Sequence, residues 1–190
     1  MHKAQRPRGV PPGQHPQRVK RSKYMQADAI VEMLERIPVF GGLRESALRL
    51  LLEQANQVRV ARGSWFFHEG DVADSMFLLQ GGRVSVIKGW QGRSVLLGQL
   101  GGGDCFGEMA LMDLMPRSAS VRADEDCLAV EFSAGDLLVL YEHDVEQFAL
   151  LQMNLAREVC RRLRATDELL FRARMGDGAA LPAVPIGRAA

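Results

Sequence analysis

The sequence of 190 residues has few of the features that mark membrane, metal-binding or disulfide-rich proteins. No apolar run approaches about 18 residues, the length that spans a bilayer, and no apolar signal segment precedes the first acidic residue, Asp28. The three cysteines, Cys105, Cys127 and Cys160, lie far apart, without the paired spacing of a zinc site or a disulfide framework. We therefore expect a cytoplasmic protein with no membrane span, whose thiols are reduced and partly buried.

Histidine is also scarce, and this bears on enzyme function. The four histidines are scattered at His2, His15, His68 and His143. A metalloenzyme built on a β-barrel needs clustered histidines and a carboxylate, and a haem or redox sensor needs its own ligands or cysteine cluster near the N-terminus. The sequence offers neither arrangement. We therefore expect a protein that is not an enzyme, with no catalytic residue, no metal and no cofactor.

Acidic residues are missing from the first part of the chain. Seven Lys or Arg residues and four prolines fall before the first acid, without apolar periodicity. Such a composition cannot bury enough surface to offset the entropy of ordering, so residues 1–26 are predicted to be a disordered basic tail. This tail could attract an acidic partner, nucleic acid or anionic lipid, or it could simply be solvated. Residues 175–190, rich in Gly, Ala and Pro, are predicted to be a flexible tail, which leaves one domain over 27–174.

The apolar pattern within this domain changes period twice. Helical spacing over residues 27–36 and around Leu43–Leu52 gives way to short apolar runs separated by glycine-bearing turns. These runs fall at residues 58–61, 65–67, 76–79, 84–87, 95–97, 119–121 and 128–132. Many short strands at regular spacing predict an all-β sandwich or barrel, flanked by helices on both sides in the sequence.

Helical spacing returns after Ser133, with a short helix predicted over 134–141 and a long one over 145–172. The spacing of the long helix predicts one packing face, formed by Phe148, Leu151, Leu155, Val159, Leu163, Thr166 and Leu170. This spacing suits a partner helix in a homodimer as well as it suits packing against the barrel, and both interpretations stay open.

The segment from Phe106 to Val121 carries the functional signal. It is predicted to form a strand, a glycine turn, one helical turn, a loop and another strand. Gly107 before the helical turn lets backbone N–H groups face an anion. Arg117 can neutralise a phosphate through a charge-assisted contact with two parallel hydrogen bonds.

Three neighbouring groups extend this predicted anion site. The Ser118 hydroxyl and the Ala119 N–H can add donors, whereas Glu108 can accept a hydrogen bond from a sugar hydroxyl. A carboxylate beside an anion site is useful if the ligand places a hydroxyl donor next to one negative charge. A cyclic ribose phosphate has this arrangement.

These residues resemble the phosphate-binding cassette of the cyclic-nucleotide-binding domain family, whose pattern is approximately F-G-E-x-A-L…P-R-S/T/A-A. The pattern is matched by Phe106, Gly107, Glu108, Ala110, Leu111, Pro116, Arg117, Ser118 and Ala119. Residues 37–40 and 69–84 are similar to the flanking segments, and the likeness covers about 30–172. It implies a mainly β fold: a jelly-roll-like double-stranded β-helix barrel with an N-terminal helical bundle and a long C-terminal helix.

The resemblance also implies roles for individual residues. It assigns Glu108 to the ribose 2′-hydroxyl and Arg117 to the exocyclic phosphate oxygens. The rest of the expected cassette contacts are Phe106, Gly107, Met109, Ala110, Ser118 and Ala119, and Val86 is a candidate for the apolar wall under the base.

The base itself is expected to meet the long helix, because residues 161–168 are similar to the corresponding helix of catabolite activator proteins. Thr166 then lies at the position of a base-contacting hydroxyl, with Asp167 beside it. A hydroxyl both donates and accepts, and so can serve adenine or guanine. Asp167 can accept from either base, or it can be an exposed charge paired with Arg161 or Arg164. We expect cyclic AMP as the ligand, with cyclic GMP or a ligand-free interaction module as alternatives.

Members that act as transcription factors continue into a winged helix-turn-helix domain, for which the 16 residues after Arg174 are too few. We therefore expect no sequence-specific DNA binding, and signalling through an unknown protein effector, self-association or the tails. The long helix is predicted to close over the ligand as a lid, with ligand affinity biasing its two positions.

Overall fold

The computed structural model describes residues 17–19 and 25–175, with side chains from Asp28 onward. Helices precede and follow the β region in the sequence, and one short helix lies within it. They are α1 (Met25–Glu35), α2 (Glu45–Gln54), α3 (Met109–Asp113), α4 (Ala134–His143) and α5 (Val145–Arg174), with a 3₁₀ turn at Pro38–Phe40. Ser133 caps α4 in a capping box with Asp136, and Asp144 caps α5 by accepting from the Gln147 N–H.

Within the described residues, nine strands form two antiparallel sheets. They are β1 (Gln17–Val19), β2 (Asn56–Val60), β3 (Trp65–Phe67), β4 (Ser75–Gly81), β5 (Arg83–Trp90), β6 (Arg93–Gly101), β7 (Cys105–Phe106), β8 (Ser120–Ala123) and β9 (Cys127–Ser133). The first sheet has the order β1-β2-β9-β4-β7, and the second has the order β3-β8-β5-β6. The predicted fold class is confirmed, because each of the seven apolar runs corresponds to one of β2–β6, β8 and β9. The strand expected before Gly107 is β7.

The N-terminal prediction fails in part. Gln17–Val19 lies within the segment predicted to be a disordered tail, yet it pairs antiparallel with Gln57–Arg59 of β2. Strand pairing uses backbone hydrogen bonds, so an apolar pattern is not required to add a short strand to a sheet edge. The remainder of that segment up to residue 24, and residues 176–190 of the predicted C-terminal tail, lie outside the described residues.

Two apolar cores occupy the molecule. One fills the interior of the barrel and contains three phenylalanine rings in mutual contact, Phe66, Phe77 and Phe106, with centroids 5.0–5.4 Å apart. The other lies between the helices and the outer face of the five-stranded sheet. The cassette, residues 106–119, leaves β7 in one sheet and enters β8 in the other. It therefore bridges the two sheets at a place where the core fixes both of its ends.

The long helix α5 does not keep the single packing face that was predicted. Leu151 and Leu155 are buried, but Leu163 and Leu170 are more than half exposed. With 3.6 residues per turn, the packed face continues instead through Glu158 and Arg162, which are mostly buried. No helix in the described part of the chain is long and apolar enough to cross a membrane.

Candidate functional site

Gly107 forms the turn at the start of the cassette, and its position demands glycine for two reasons. Its φ is +80°, in the left-handed region that side chains disfavour. A Cβ atom on it would also lie 2.5 Å from Nη1 of Arg117. The backbone can approach the guanidinium closely because no side chain is present.

Arg117 is buried, with 6% of its surface exposed. Its Nη1 donates to the Gly107 carbonyl at 2.8 Å, its Nη2 donates to the Ser75 hydroxyl at 3.2 Å, and its guanidinium lies 4.0 Å from the centroid of the Phe67 ring. Its Nε is buried and finds no hydrogen-bond partner in the part of the chain that the structure describes. A buried, charged donor without a partner is costly, which makes this guanidinium a place where an anion would be bound favourably.

A cavity of about 490 Å³ opens beside Arg117, lined by several aromatic rings and by the carboxylates of Asp71, Asp74 and Glu131. Burial lowers the pKa of the Arg117 guanidinium from its ordinary value, and these carboxylates, Asp74 foremost, partly oppose that effect. An arginine side chain remains cationic at any pH near neutrality. The cassette therefore presents a permanent positive charge whose position is set by neutral partners and a ring face.

Glu108 is buried as well, and it forms an ion pair with a residue that the sequence analysis assigned no role. The Oε1 atom of Glu108 accepts from Nη1 of Arg162 on α5 at 2.7 Å, with 3% of the Glu108 and 18% of the Arg162 side chain exposed. Arg162 also donates to the Cys105 carbonyl at 2.8 Å and to Glu158 at 3.2 Å. One guanidinium thus joins α5 to the residues on both sides of the Gly107 turn.

The sequence contains a signal for Arg162, but the predicted packing face of α5 does not include this residue. Leu151, Leu155, Glu158 and Arg162 follow one another at intervals of four, three and four, which places them on one helix face. A polar pair that continues a buried face indicates a charged partner elsewhere in the fold. That partner is Glu108, which the sequence also predicts as the ribose contact.

The other cassette residues divide between ligand-accessible and core positions. Ser118 is exposed, and its hydroxyl donates to the Met109 sulfur at 3.8 Å. Met109 is also exposed, whereas Phe106, Ala110 and Ala119 are buried, as is Val86 on β5. The Phe106 ring belongs to the barrel core and supports the cassette from within, and Val86 and Ala119 belong to that same core cluster.

The two residues proposed for base contact are not brought into the cassette. Thr166 and Asp167 are exposed on α5, one turn beyond Arg162, and the Thr166 hydroxyl donates to the Arg162 carbonyl at 2.9 Å within the helix. Arg161, one of the partners considered for Asp167, pairs with Glu158 instead. The structure therefore leaves both side chains facing solvent.

Potential metal ligands and thiols are the other reactive groups in the described part of the chain. In the ranges that the structure describes, no group of three His, Cys, Asp or Glu side chains is placed to hold a metal ion. Burial raises the pKa of the Cys105 and Cys127 thiols, which keeps them protonated and unreactive. The prediction of partly buried thiols is wrong for Cys160, which is exposed because it lies on the outer face of α5.

Comparison with known proteins identifies the same segment. Residues 57–144 match the family model described as "Cyclic nucleotide-binding domain". The cyclic AMP receptor protein of Thermus thermophilus is 34% identical over 133 residues, which is 68% of this chain and 59% of that protein. The chain thus spans about three fifths of the length of this curated relative.

Solved structures share the fold. A cyclic nucleotide-binding domain from Methylobacillus flagellatus superimposes with a TM-score of 0.69 and 26% identity, covering 77% of this chain and 84% of that chain. The catabolite activator protein of Thermus thermophilus superimposes with a TM-score of 0.62 and 30% identity, covering 73% of this chain and 72% of that chain. The chain whose cassette bridges the two sheets is thus similar to nucleotide-binding domains over its barrel and helices.

Proposed function

Because the chain belongs to the cyclic-nucleotide-binding domain family, we propose that it is a cytoplasmic receptor for cyclic AMP and has no catalytic role. The observation that carries this proposal is the Arg117 guanidinium, buried beside a glycine turn with its Nε unpartnered among the described residues. The relative from Thermus thermophilus is named as a cyclic AMP receptor, which supports adenine over guanine. The proposal requires no cofactor in addition to the cyclic nucleotide.

The phosphate would bind between Arg117 and the backbone that follows it. Nη1 and Nη2 of Arg117 each already donate one hydrogen bond to a protein acceptor. A phosphate oxygen would therefore accept from Nε and lie along the outer edge of the guanidinium group. The Ser118 hydroxyl is exposed and can turn from the Met109 sulfur, a weak acceptor, to a phosphate oxygen. Each such bond to a charged group contributes about 1.5–3 kcal/mol.

The ribose would bind at Glu108. An ionised carboxylate has about four acceptor positions, so Glu108 can accept from a 2′-hydroxyl while it keeps the bond to Arg162. A ligand that occupies Glu108 therefore contacts a group fixed to α5. This is the route by which we propose that binding shifts α5 toward a closed position, in which Thr166 and Asp167 would reach the base.

The downstream half of α5 would carry the signal. Leu163, Leu170 and Cys160 are exposed there at spacing suited to a partner helix. We propose that this surface meets a second copy of the chain or an unidentified protein effector, and that the described residues make no sequence-specific contact with DNA.

Titration with cyclic AMP and cyclic GMP separates two alternatives from this proposal. A cyclic GMP receptor would use Asp167 to accept from the two adjacent donors of guanine, so Asp167→Ala would weaken cyclic GMP and leave cyclic AMP nearly unchanged. A ligand-free interaction module would bind neither nucleotide. The buried Arg117 favours a working pocket, because its Nε is costly to bury without an acceptor among the described residues.

Calorimetric titration with cyclic AMP and cyclic GMP tests the proposal. We expect cyclic AMP to bind more tightly, and Arg117→Ala to weaken it by about 10- to 150-fold, from the loss of charge-assisted bonds. Arg117→Lys should also bind poorly, because an ammonium cannot reproduce the planar fork. An affinity for cyclic AMP unchanged within about twofold in Arg117→Ala would remove Arg117 from the phosphate site.

A further inference from the structure

A second cation lies beside the cassette, on the neighbouring strand. The Nζ atom of Lys88, on β5, donates to the carbonyl oxygen of Ser118 at 2.8 Å. Ser118 lies two residues before β8, which begins at Ser120, and Ser120 pairs with Ile87 in the ladder between β5 and β8. The lysine therefore crosses the end of this ladder and contacts the backbone of a residue that the phosphate is proposed to touch.

The contacted carbonyl belongs to the peptide that joins Ser118 to Ala119. In a planar trans peptide the C=O and the next N–H point in opposite directions. An ammonium that holds the Ser118 carbonyl on one side of the strand therefore fixes the Ala119 N–H toward the other side. Ala119 is buried and cannot reorient freely, whereas the Ser118 side chain is exposed. The orientation of one backbone donor of the cassette is thus linked to Lys88.

Glu69 holds the ammonium in turn, although half of the Lys88 side chain is exposed. One carboxylate oxygen of Glu69 lies 3.6 Å from Nζ of Lys88, and the other accepts from the Gly89 N–H at 3.0 Å. The backbone N–H of Glu69 donates to the Ser120 hydroxyl at 2.8 Å. Exposed ion pairs alone contribute little, but here the carboxylate is fixed at both of its oxygens and at its own backbone.

We propose that Lys88 is a positioning residue for the cyclic phosphate: it aims the Ala119 N–H at one of the two exocyclic oxygens and adds positive charge on that side. This inference rests on the proposed function and extends it to a residue outside the cassette. The inference assigns the Arg117 guanidinium to one exocyclic oxygen and the Ala119 backbone N–H to the other. Loss of Lys88 should therefore affect one oxygen more than the other.

The test uses cyclic AMP and its two phosphorothioate diastereomers, in which sulfur replaces one exocyclic oxygen or the other. Affinities are measured for the native chain, Lys88→Met, Lys88→Arg and Arg83→Met. Arg83 is the matched control: it lies on the same strand and is similarly exposed, but its side chain pairs with Glu125. We expect Lys88→Met to weaken cyclic AMP by about three- to tenfold and to change the affinity ratio of the diastereomers at least threefold. Lys88→Arg should restore both values to within about twofold, and Arg83→Met should change neither.

The outcomes separate this inference from the function beneath it. If the native chain binds no cyclic nucleotide, the proposed function fails. If it binds, but Lys88→Met keeps the native diastereomer ratio, or Arg83→Met weakens binding equally, Lys88 does not position the phosphate. Because half of the Lys88 side chain is exposed, Lys88→Met should fold like the native chain, and thermal melting of this variant checks this directly.

Discussion

Near its start, α5 is attached by an exposed ion pair and by apolar packing, whereas at its eighteenth residue it is attached by a buried ion pair. Asp144 at the N-cap lies 2.7 Å from Arg44, with 57% of the Arg44 side chain exposed, and Leu151 follows in the core. Arg162 lies at the same distance from Glu108, but there only 3% of the glutamate side chain is exposed. The two pairs are alike in geometry and opposite in environment.

This difference assigns different roles to the two halves of the helix. Leu151 and Leu155 belong to the apolar core between the helices and the sheet, against which Leu111 is the cassette residue that packs, so this packing should hold the first half whether or not a ligand is bound. The second half is attached to the domain through a carboxylate that a ribose hydroxyl would also use. We therefore expect the first half to be a fixed anchor and the second half to be the part that a ligand can move.

Arg162→Ala should have the largest effect, because it leaves the carboxylate of Glu108 buried without its partner. Removing one member of a buried pair typically costs about 3–5 kcal/mol, and the partial exposure of Arg162 favours the lower end, so we expect a loss of about 3 kcal/mol in the free energy of unfolding. Urea denaturation monitored by circular dichroism measures it.

Arg161→Ala is the matched control for that prediction. Arg161 is adjacent and also pairs with Glu158, but 57% of its side chain is exposed, so its loss should cost less than about 1 kcal/mol. Equal losses in the two variants would contradict the distinction between the buried and the exposed pair. Combining Arg162→Met with Glu108→Gln should recover part of the lost stability, because no unpaired charge then remains buried.

Glu108→Gln should have an intermediate effect, and it should appear in the choice of sugar. In the native chain, 2′-deoxy cyclic AMP is expected to bind about 10- to 100-fold more weakly than cyclic AMP, because a hydrogen bond to a charged acceptor is lost. In the variant the two ligands should differ by less than about threefold. Competition binding with both ligands measures the ratio, and the same ratio in both proteins would show that Glu108 does not contact the ribose.

Asp144→Asn should have the smallest effect. Asparagine keeps the N-cap bond to the Gln147 N–H while it removes the charge that faces Arg44, so the free energy of unfolding should fall by less than about 1 kcal/mol. Asp144→Ala should cost about 1 kcal/mol more, because the cap is lost as well. A loss of 3 kcal/mol in Asp144→Asn would mean that the exposed attachment is as important as the buried one.

Much of the barrel could be predicted from the sequence because its signals are local. Alternating apolar runs between glycine turns locate the strands, and the spacing of Gly107, Glu108 and Arg117 within one short segment locates the cassette. Strand β1 could not be found in this way, because its pairing with β2 is a backbone contact between distant segments.

The residues that contact the cassette from distant segments could not be predicted from the sequence, for the same reason. Ser75, Phe67 and Arg162 contact the cassette from 42, 50 and 54 residues away along the chain, measured from Arg117 for the first two and from Glu108 for the third. Nothing in the local pattern of Ser75 or Phe67 distinguishes them from ordinary strand residues. Apolar spacing predicts the packing face of α5, but two charged residues continue the face that is actually buried.

Hydrogen exchange along α5 tests the central claim, that a buried ion pair makes the second half of this helix responsive to ligand. Amide exchange is measured in the native chain and in Arg162→Met, each without ligand and saturated with cyclic AMP. We predict that cyclic AMP slows exchange over residues 156–174 by on the order of tenfold in the native chain and by less than about twofold in the variant, while residues 145–155 change little in either protein. Equal slowing over residues 156–174 in both proteins would contradict the claim, because α5 would then respond to ligand without the contact between Arg162 and Glu108.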